Sequence, residues 1–354
     1  MTKQGTSATG HTGSHHVRSR RRRLRVLLWI GVPVVAVLTA VAIVTSVTPW
    51  PSAMLIRGVF ERGGAATVAE MEPYVPDTPL REQLDVAYAP GGADTTMDVF
   101  TTAPAGKVSP TVVWVHGGAW ISGSKENVAP YLRILAAEGY TTIGVNYTLG
   151  PEGAYPVAVT QLNEALAYID AHAEELGVDA SQIVLAGDSA GSQLASQLGV
   201  LMTNPRYADI MGMDPALEPD QLVGAILNCG VYSLPAMADL DGIVAWGFQV
   251  ALWAYTGTKN WSASYEGATM STIEWVTEDF PATYISGGNG DGLTWLKSIP
   301  MSQRLRDVGV DVTELFWPAQ HEPALPHEYQ FHLDLPEAHE ALAATIEYLE
   351  GVTD

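Results

Sequence analysis

Beyond about residue 83, short apolar runs alternate with stretches of 3.6-residue periodicity. Runs at 84–88 and 96–100 flank the turn Pro90-Gly91-Gly92 and read as a pair of strands. Further strands are expected at 111–115, 141–146, 183–187, 281–286 and 312–317. Helical patterns fall near 127–138, 157–176 and 189–203, and a closing helix starts near Pro336. This alternation predicts the α/β class, with a mostly parallel central sheet and helices on both faces. Residues 233–279 fit poorly as one crossover. They hold Trp246, Trp253, Trp261 and Trp275 with few charges, and read as a small cap insertion. Most of these tryptophans are expected in the core, with one or two lining a pocket.

The chain before residue 83 has a different pattern. An uncharged run at 26–47 follows Arg18, Arg20, Arg21, Arg22, Arg23 and Arg25. Its 22 residues would span roughly 33 Å as a helix, enough for a bilayer core. Pro33 is tolerable in such a helix. The arginines place the N-terminus in the cytoplasm, so the remainder would lie outside it. A cleaved signal has a shorter apolar core, and no small-x-small site directly follows Val47. The expectation is an uncleaved anchor, giving a single-pass membrane protein. The expected organisation is a disordered basic tail at 1–25, an N-terminal transmembrane helix at 26–47, a linker or cap element at 48–82, and a catalytic domain at 83–354. His11, His15 and His16 read as part of the tail rather than as a metal site.

Two motifs carry chemistry. Gly187-Asp188-Ser189-Ala190-Gly191 follows an apolar run and precedes a helical pattern, as a nucleophile elbow does. A sharp strand-to-helix turn lifts the serine clear of the backbone, and it crowds the positions two before and two after. Glycine at both removes the clash. His116-Gly117-Gly118-Ala119-Trp120 follows the run at 111–115 and reads as an oxyanion-hole loop. The backbone N–H groups of Gly118, Ala119 and Ala190 are the candidate oxyanion donors. His116 is expected to brace the loop rather than act as base. The pairing points to acyl transfer from a serine to water.

With these motifs, the chain resembles the hormone-sensitive-lipase-like carboxylesterase branch of the α/β-hydrolases, from about Thr111 to Glu350. Gly144-Val145-Asn146-Tyr147-Thr148-Leu149-Gly150-Pro151-Glu152, then Tyr155-Pro156, is similar to a segment of that family. Ala119 replaces a third glycine, and Ser192-Gln193 replaces a frequent Gly-Asn. The resemblance implies a triad in the order serine, acid, histidine. Gly287-Gly288-Asn289-Gly290-Asp291-Gly292 resembles the acid loop and implies Asp291. For the base, His327 is favoured over His321, and His332 reads as a surface residue. No metal or organic cofactor is implied.

Composition narrows the picture little further. Cys229, the single cysteine, reads as a buried strand residue and excludes an internal disulfide. Seven of the 18 Lys and Arg lie at or before Arg25, and all 39 Asp and Glu lie beyond it. Such an acidic domain repels nucleic acid, so no nucleic-acid partner is expected. The reading is a serine carboxylesterase for small, short-acyl esters, with a small-molecule ester as substrate and the membrane as the other partner. A hydrolase of amide, formamide or polysaccharide acetyl groups, and a lapsed binding protein on the same fold, are the alternatives. Oligomeric state is open.

Overall fold

A computed structural model of the chain describes residues 1–354 except 3, 6–13 and 241, with side chains described outside 14–28, 31, 238 and 239. The chain divides into two compact units, Met1–Pro51 and Ser52–Asp354.

In the first unit, α1 (Ser14–Val47) is continuous. The segment expected as a disordered tail is therefore helical from Ser14, in keeping with the high helix propensity of the arginine run. His11 and the side chains of His15 and His16 lie outside the described residues. So do the side chains of 26–28 and 31 within the expected span. Among the described residues, no single helix is long and apolar enough to cross a membrane.

The chain enters the second unit through α2 (Trp50–Met71), a helix in the segment expected as a linker or cap element at 48–82. Its Ala53 and Ile56 are buried against Ala119, Ile121, Val250, Ala251 and Ala254. Tertiary packing of this face outweighs the weak local signal of a segment containing Gly58, Gly63 and Gly64.

The remaining elements follow in order. They are β1 (Arg81–Ala87), β2 (Thr96–Thr101), β3 (Ser109–Val115), α3 (Ala129–Ala137), β4 (Thr141–Val145) and α4 (Val157–Ala171). Next come α5 (Ala173–Leu176), β5 (Val178–Asp188), α6 (Ser189–Thr203), α7 (Pro205–Met211) and β6 (Leu222–Asn228). The chain ends with α8 (Gly242–Thr256), α9 (Tyr265–Met270), β7 (Thr283–Gly287), α10 (Ile299–Asp307), β8 (Val312–Phe316) and α11 (Pro336–Thr353). The helix expected at 157–176 breaks at His172, and β5 begins earlier than expected.

The eight strands lie in the order β1-β2-β4-β3-β5-β6-β7-β8. The β1–β2 and β2–β4 pairs are antiparallel, and the other five are parallel. The inner parallel strands are apolar on both faces where helices cover both. Val113, Val115, Ile183 and Leu185 pack with α4, α6 and α10. Their neighbours Val112, Trp114, Val184 and Ala186 pack with α3 and α11 on the other side. The chain leaves β3 toward β4 on one side, and β5 lies on the other. The crevice at the carboxyl ends of β3 and β5 is thus a topological switch point, where open α/β sheets bind ligands.

Two packing expectations change. Cys229 is buried but sits one residue past β6, at φ 45°. Of the four cap tryptophans only Trp261 is buried. Trp246 is exposed, and Trp253 and Trp275 are half-buried. The aromatic that packs on the oxyanion loop is instead Tyr255 of α8, stacked on Trp120 with ring centroids 5.6 Å apart.

Candidate active site

Ser189 is the first residue of α6, directly after β5, and it adopts φ 51°. Such a conformation is strained for a residue with a Cβ, and it persists only where the surroundings enforce it. The close approach of the elbow requires glycine at two places. A Cβ on Gly187 would run into the backbone of Gly191, and one on Gly191 into the carbonyls of Val115 and His116. Because β3 pairs with β5, the loop after β3 meets the elbow side by side.

The structure brings Ser189, His327 and Asp291 together. The Ser189 hydroxyl lies 2.9 Å from His327 Nε2, and His327 Nδ1 lies 2.7 Å from Asp291 Oδ2. A carboxylate can only accept, so in the neutral ring Nδ1 carries the proton and Nε2 is left to accept from the serine. Asp291 Oδ1 accepts the Leu293 amide at 2.9 Å, which fixes the carboxylate plane. Burial pushes the His327 pKa down. The Asp291 hydrogen bond and the charges of Glu328, Asp291 and Asp188 outweigh it and raise the value to about 9. His321 is elsewhere, with Nε2 2.8 Å from Glu337 of α11 and its ring against Trp317. His332 is half-buried and bonds Glu70 of α2 at 3.0 Å.

The loop after β3 is built to expose amides. Gly118, Ala119 and Trp120 have φ values of 110°, 51° and 60°. Ile121 and Ser122 both donate to the Gly118 carbonyl, at 3.1 and 3.0 Å, closing the turn. Among the described residues, the Gly118 and Ala119 amides make no hydrogen bond within the chain. The Ala190 amide is in the first turn of α6, where backbone donors have no intrahelical partner. His116 braces the loop from behind. Its Nδ1 donates to the Gly117 carbonyl at 2.8 Å and its ring stacks on Tyr147 at 4.5 Å. Burial lowers its pKa to about 4, so it stays neutral.

Four further residues support the site, and sequence reasoning assigned none of them a role. Asp188 is buried and accepts from the Gly117 amide at 2.8 Å and from Trp114 Nε1 at 2.7 Å, tying the elbow to the loop. Its position inside the elbow motif was the available signal. Asn289 joins the acid loop to the histidine loop. Its Oδ1 accepts the Leu325 amide at 2.9 Å, and its Nδ2 donates to the His321 carbonyl at 2.8 Å. Arg57 of α2 donates to the carbonyls of Ile121 and Gly150 and pairs with Glu152 at 2.6 Å. Glu328 follows the histidine, at φ 58°. No local pattern marks the last two.

Cys229, Asp291 and His327 place donor atoms within 4.8 Å of one another, as do Glu70, His332 and Asp334. A metal at the first group would take the His327 and Asp291 atoms that hold Ser189. Burial also pushes the Cys229 thiol pKa well up, keeping it protonated and a poor ligand. The second group is half-exposed and already satisfied by the His332–Glu70 hydrogen bond.

The BD-FAE family model matches residues 97–304, which include Ser189 and Asp291 and stop short of His327. Esterase LipQ of Mycobacterium tuberculosis is 26% identical over 290 residues, 77% of this chain and 62% of that protein. The acetyl esterase of Salmonella typhi is 30% identical over 148 residues, 42% of this chain and 44% of that one. The chain thus spans between about half and two thirds of these curated relatives' lengths. Among solved structures, esterase B of Lactobacillus rhamnosis aligns with a TM-score of 0.72 at 19% identity, covering 86% of this chain and 96% of that one. The fold is that of the α/β-hydrolases. With more than half its length matched by the family model, the chain belongs to the BD-FAE family.

Proposed function

We propose that this protein is a serine carboxylesterase acting on small, short-acyl esters. The observation that carries the reading is the unbroken hydrogen-bonded chain from Ser189 through His327 to Asp291. Ser189 Oγ attacks the ester carbonyl carbon as His327 Nε2 takes its proton. The oxygen that becomes negative lies among the amides of Gly118, Ala119 and Ala190. The C–O bond to the alcohol then breaks and Nε2 returns the proton to the departing oxygen. Water repeats the sequence on the acyl-enzyme, releasing acid and free serine. Asp291 holds the tautomer and stabilises the imidazolium. The relatives named esterase and acetyl esterase support the bond type and, for the latter, a short acyl group.

The test is hydrolysis of p-nitrophenyl esters from acetyl to decanoyl by the full chain, with Ser189→Ala as control. Turnover should peak at short chains and fall on the order of 10⁶-fold in the variant. A fluorophosphonate should label wild type and not the variant. Turnover that survives the loss of Ser189 overturns the reading. Labelling without ester turnover points to another acyl bond. His327→Ala should abolish activity and His321→Ala should not.

The N-terminal run is proposed to anchor the catalytic unit outside the cytoplasm, on the strength of its uncharged 26–47 stretch behind six arginines. Protease digestion of intact spheroplasts should remove the catalytic unit. Full protection would reverse the assigned side.

A further inference from the structure

Gln193 has no part in the reaction above. It lies one turn of α6 beyond Ser189 and is wholly buried. Its amide oxygen accepts from Trp120 Nε1 at 3.0 Å. Its amide nitrogen donates to Gln197 Oε1 at 2.8 Å and to the Met270 carbonyl at 3.2 Å. Gln197, also buried, donates to the hydroxyls of Tyr155 and Tyr207, each at 2.7 Å. Tyr207 in turn donates to the Thr269 carbonyl at 2.8 Å, and Tyr155 to Thr269 Oγ1 at 2.7 Å. A line of buried polar groups thus runs from the oxyanion loop, across α6, to the end of α9.

Every bond in this line has a fixed direction. An indole nitrogen can only donate and a backbone carbonyl can only accept. Between those two ends, one orientation of each glutamine amide satisfies every group. Buried polar groups are costly unless paired, and a fully paired network specifies one arrangement of the parts it joins. The part at its head is Trp120, at φ 60° directly after the Ala119 oxyanion donor. The Trp120 carbonyl accepts the Gly150 amide at 2.8 Å, and its ring stacks on Tyr255. Stacking sets the plane of the ring but lets it slide. The bond to Gln193 stops the slide. We propose that Gln193 is a positioning residue for the oxyanion hole. Through Trp120 it holds the Gly118 and Ala119 amides at the place that the end of α9 dictates. Those amides bind the oxygen most strongly once it is negative, so a misplaced loop costs the transition state more than the bound ester.

The inference rests on the proposed serine chemistry, so Ser189→Ala is run alongside as the control. In the full chain, kcat for p-nitrophenyl butyrate is measured per active serine, counted by fluorophosphonate titration. Gln193→Met keeps the length of the side chain and removes its hydrogen bonds. It should lower kcat about 10- to 100-fold, with KM within about threefold of wild type. Trp120→Phe removes only the indole donor and keeps a ring for Tyr255 to stack on. It should lower kcat about tenfold. The double variant should be no slower than Gln193→Met, because both changes break one link. The inference is overturned if Gln193→Met keeps kcat per serine within about threefold, if the loss falls on KM instead, or if the two losses multiply. Should the methionine variant fail to fold, Trp120→Phe decides by the same threefold limit. The second-order rate of fluorophosphonate labelling at Ser189 should fall in parallel with kcat, and this readout needs no ester. Labelling of Ser189 without ester turnover would end the esterase reading alone, and the labelling rates of the variants would still decide the role of Gln193.

Discussion

The Ser189 elbow and helix α2 press on the same oxyanion loop in opposite ways. The elbow acts through the backbone. Gly191 lies against the carbonyls of Val115 and His116, and the space is closed to anything larger than hydrogen. Helix α2 acts through one long side chain and two small apolar ones. Arg57 reaches the Ile121 and Gly150 carbonyls, while Ala53 and Ile56 pack beside Ala119 and Ile121. A backbone contact tolerates no substitution and so leaves a rigid motif in the sequence. A contact made by a flexible side chain across 64 residues leaves none.

The sharpest way to break the comparison is at Gly191. Gly191→Ala forces a Cβ into two main-chain carbonyls, neither of which can rotate away without moving β3 or the elbow. Esterase activity should fall by 10³-fold or more, a loss on the scale of about 4 kcal/mol in the barrier. Activity within tenfold of wild type, measured on folded protein, would mean that the elbow is far softer than its contacts imply.

The same contrast explains what the sequence made legible. Strands β3, β5 and β6 carry apolar runs, α6 starts at the expected residue, and the elbow and oxyanion motifs follow from local sterics. Asp291 was reached by chain order and its glycine loop. That loop is glycine-rich because a Cβ at Gly288 or Gly290 would strike the Leu325–Pro326 backbone. Spacing favoured His327 over His321 without settling the choice, because what separates them is the Glu337 partner that α11 brings to His321. For helix α2 the sequence left a linker and a cap element both open, since its burial depends on a partner face made from α8 and the oxyanion loop.

Arg57→Ala should have the next largest effect. It removes charge-assisted hydrogen bonds to two carbonyls, each worth about 1.5–3 kcal/mol. The Glu152 partner is 40% exposed and adds little. The fold should lose about 3–6 kcal/mol by denaturant titration, and kcat should drop about tenfold through misplaced oxyanion donors. Arg57→Lys should recover part of each. A loss of stability with kcat intact would make α2 a brace for the fold alone.

The pH dependence separates the two regions more finely. His327 must be neutral to accept the serine proton, and the fold raises its pKa from 6.5 toward about 9. Activity should therefore climb through an acid limb lying between those values, above that of an ordinary histidine. Stability runs the other way. A raised histidine pKa contributes stability that is full below about 6.5 and is lost as the pH rises through the folded-state value. Arg57→Ala should leave the limb in place, because α2 brings no charge against His327. A limb at or below 6.5 would show that the carboxyls around His327 are neutral or screened.

The smallest effect is expected within α2, and it tests whether glycine means the same thing there as in the elbow. Gly63 is exposed, and a Cβ on it would meet nothing within 4 Å. Gly63→Ala should therefore gain helix propensity without cost, about 0.5–1 kcal/mol, raising Tm by roughly 2 °C. Gly64 is one residue on and behaves differently. A Cβ there would lie 2.8 Å from Asn127 Nδ2, and Asn127 cannot swing freely because its Oδ1 accepts the Ser124 amide at 2.8 Å. Gly64→Ala should thus gain nothing. Equal stabilisation by both substitutions would mean that α2 rides loosely over the 125–127 turn. The helix would then owe its place to Arg57 and the Ala53–Ile56 face alone.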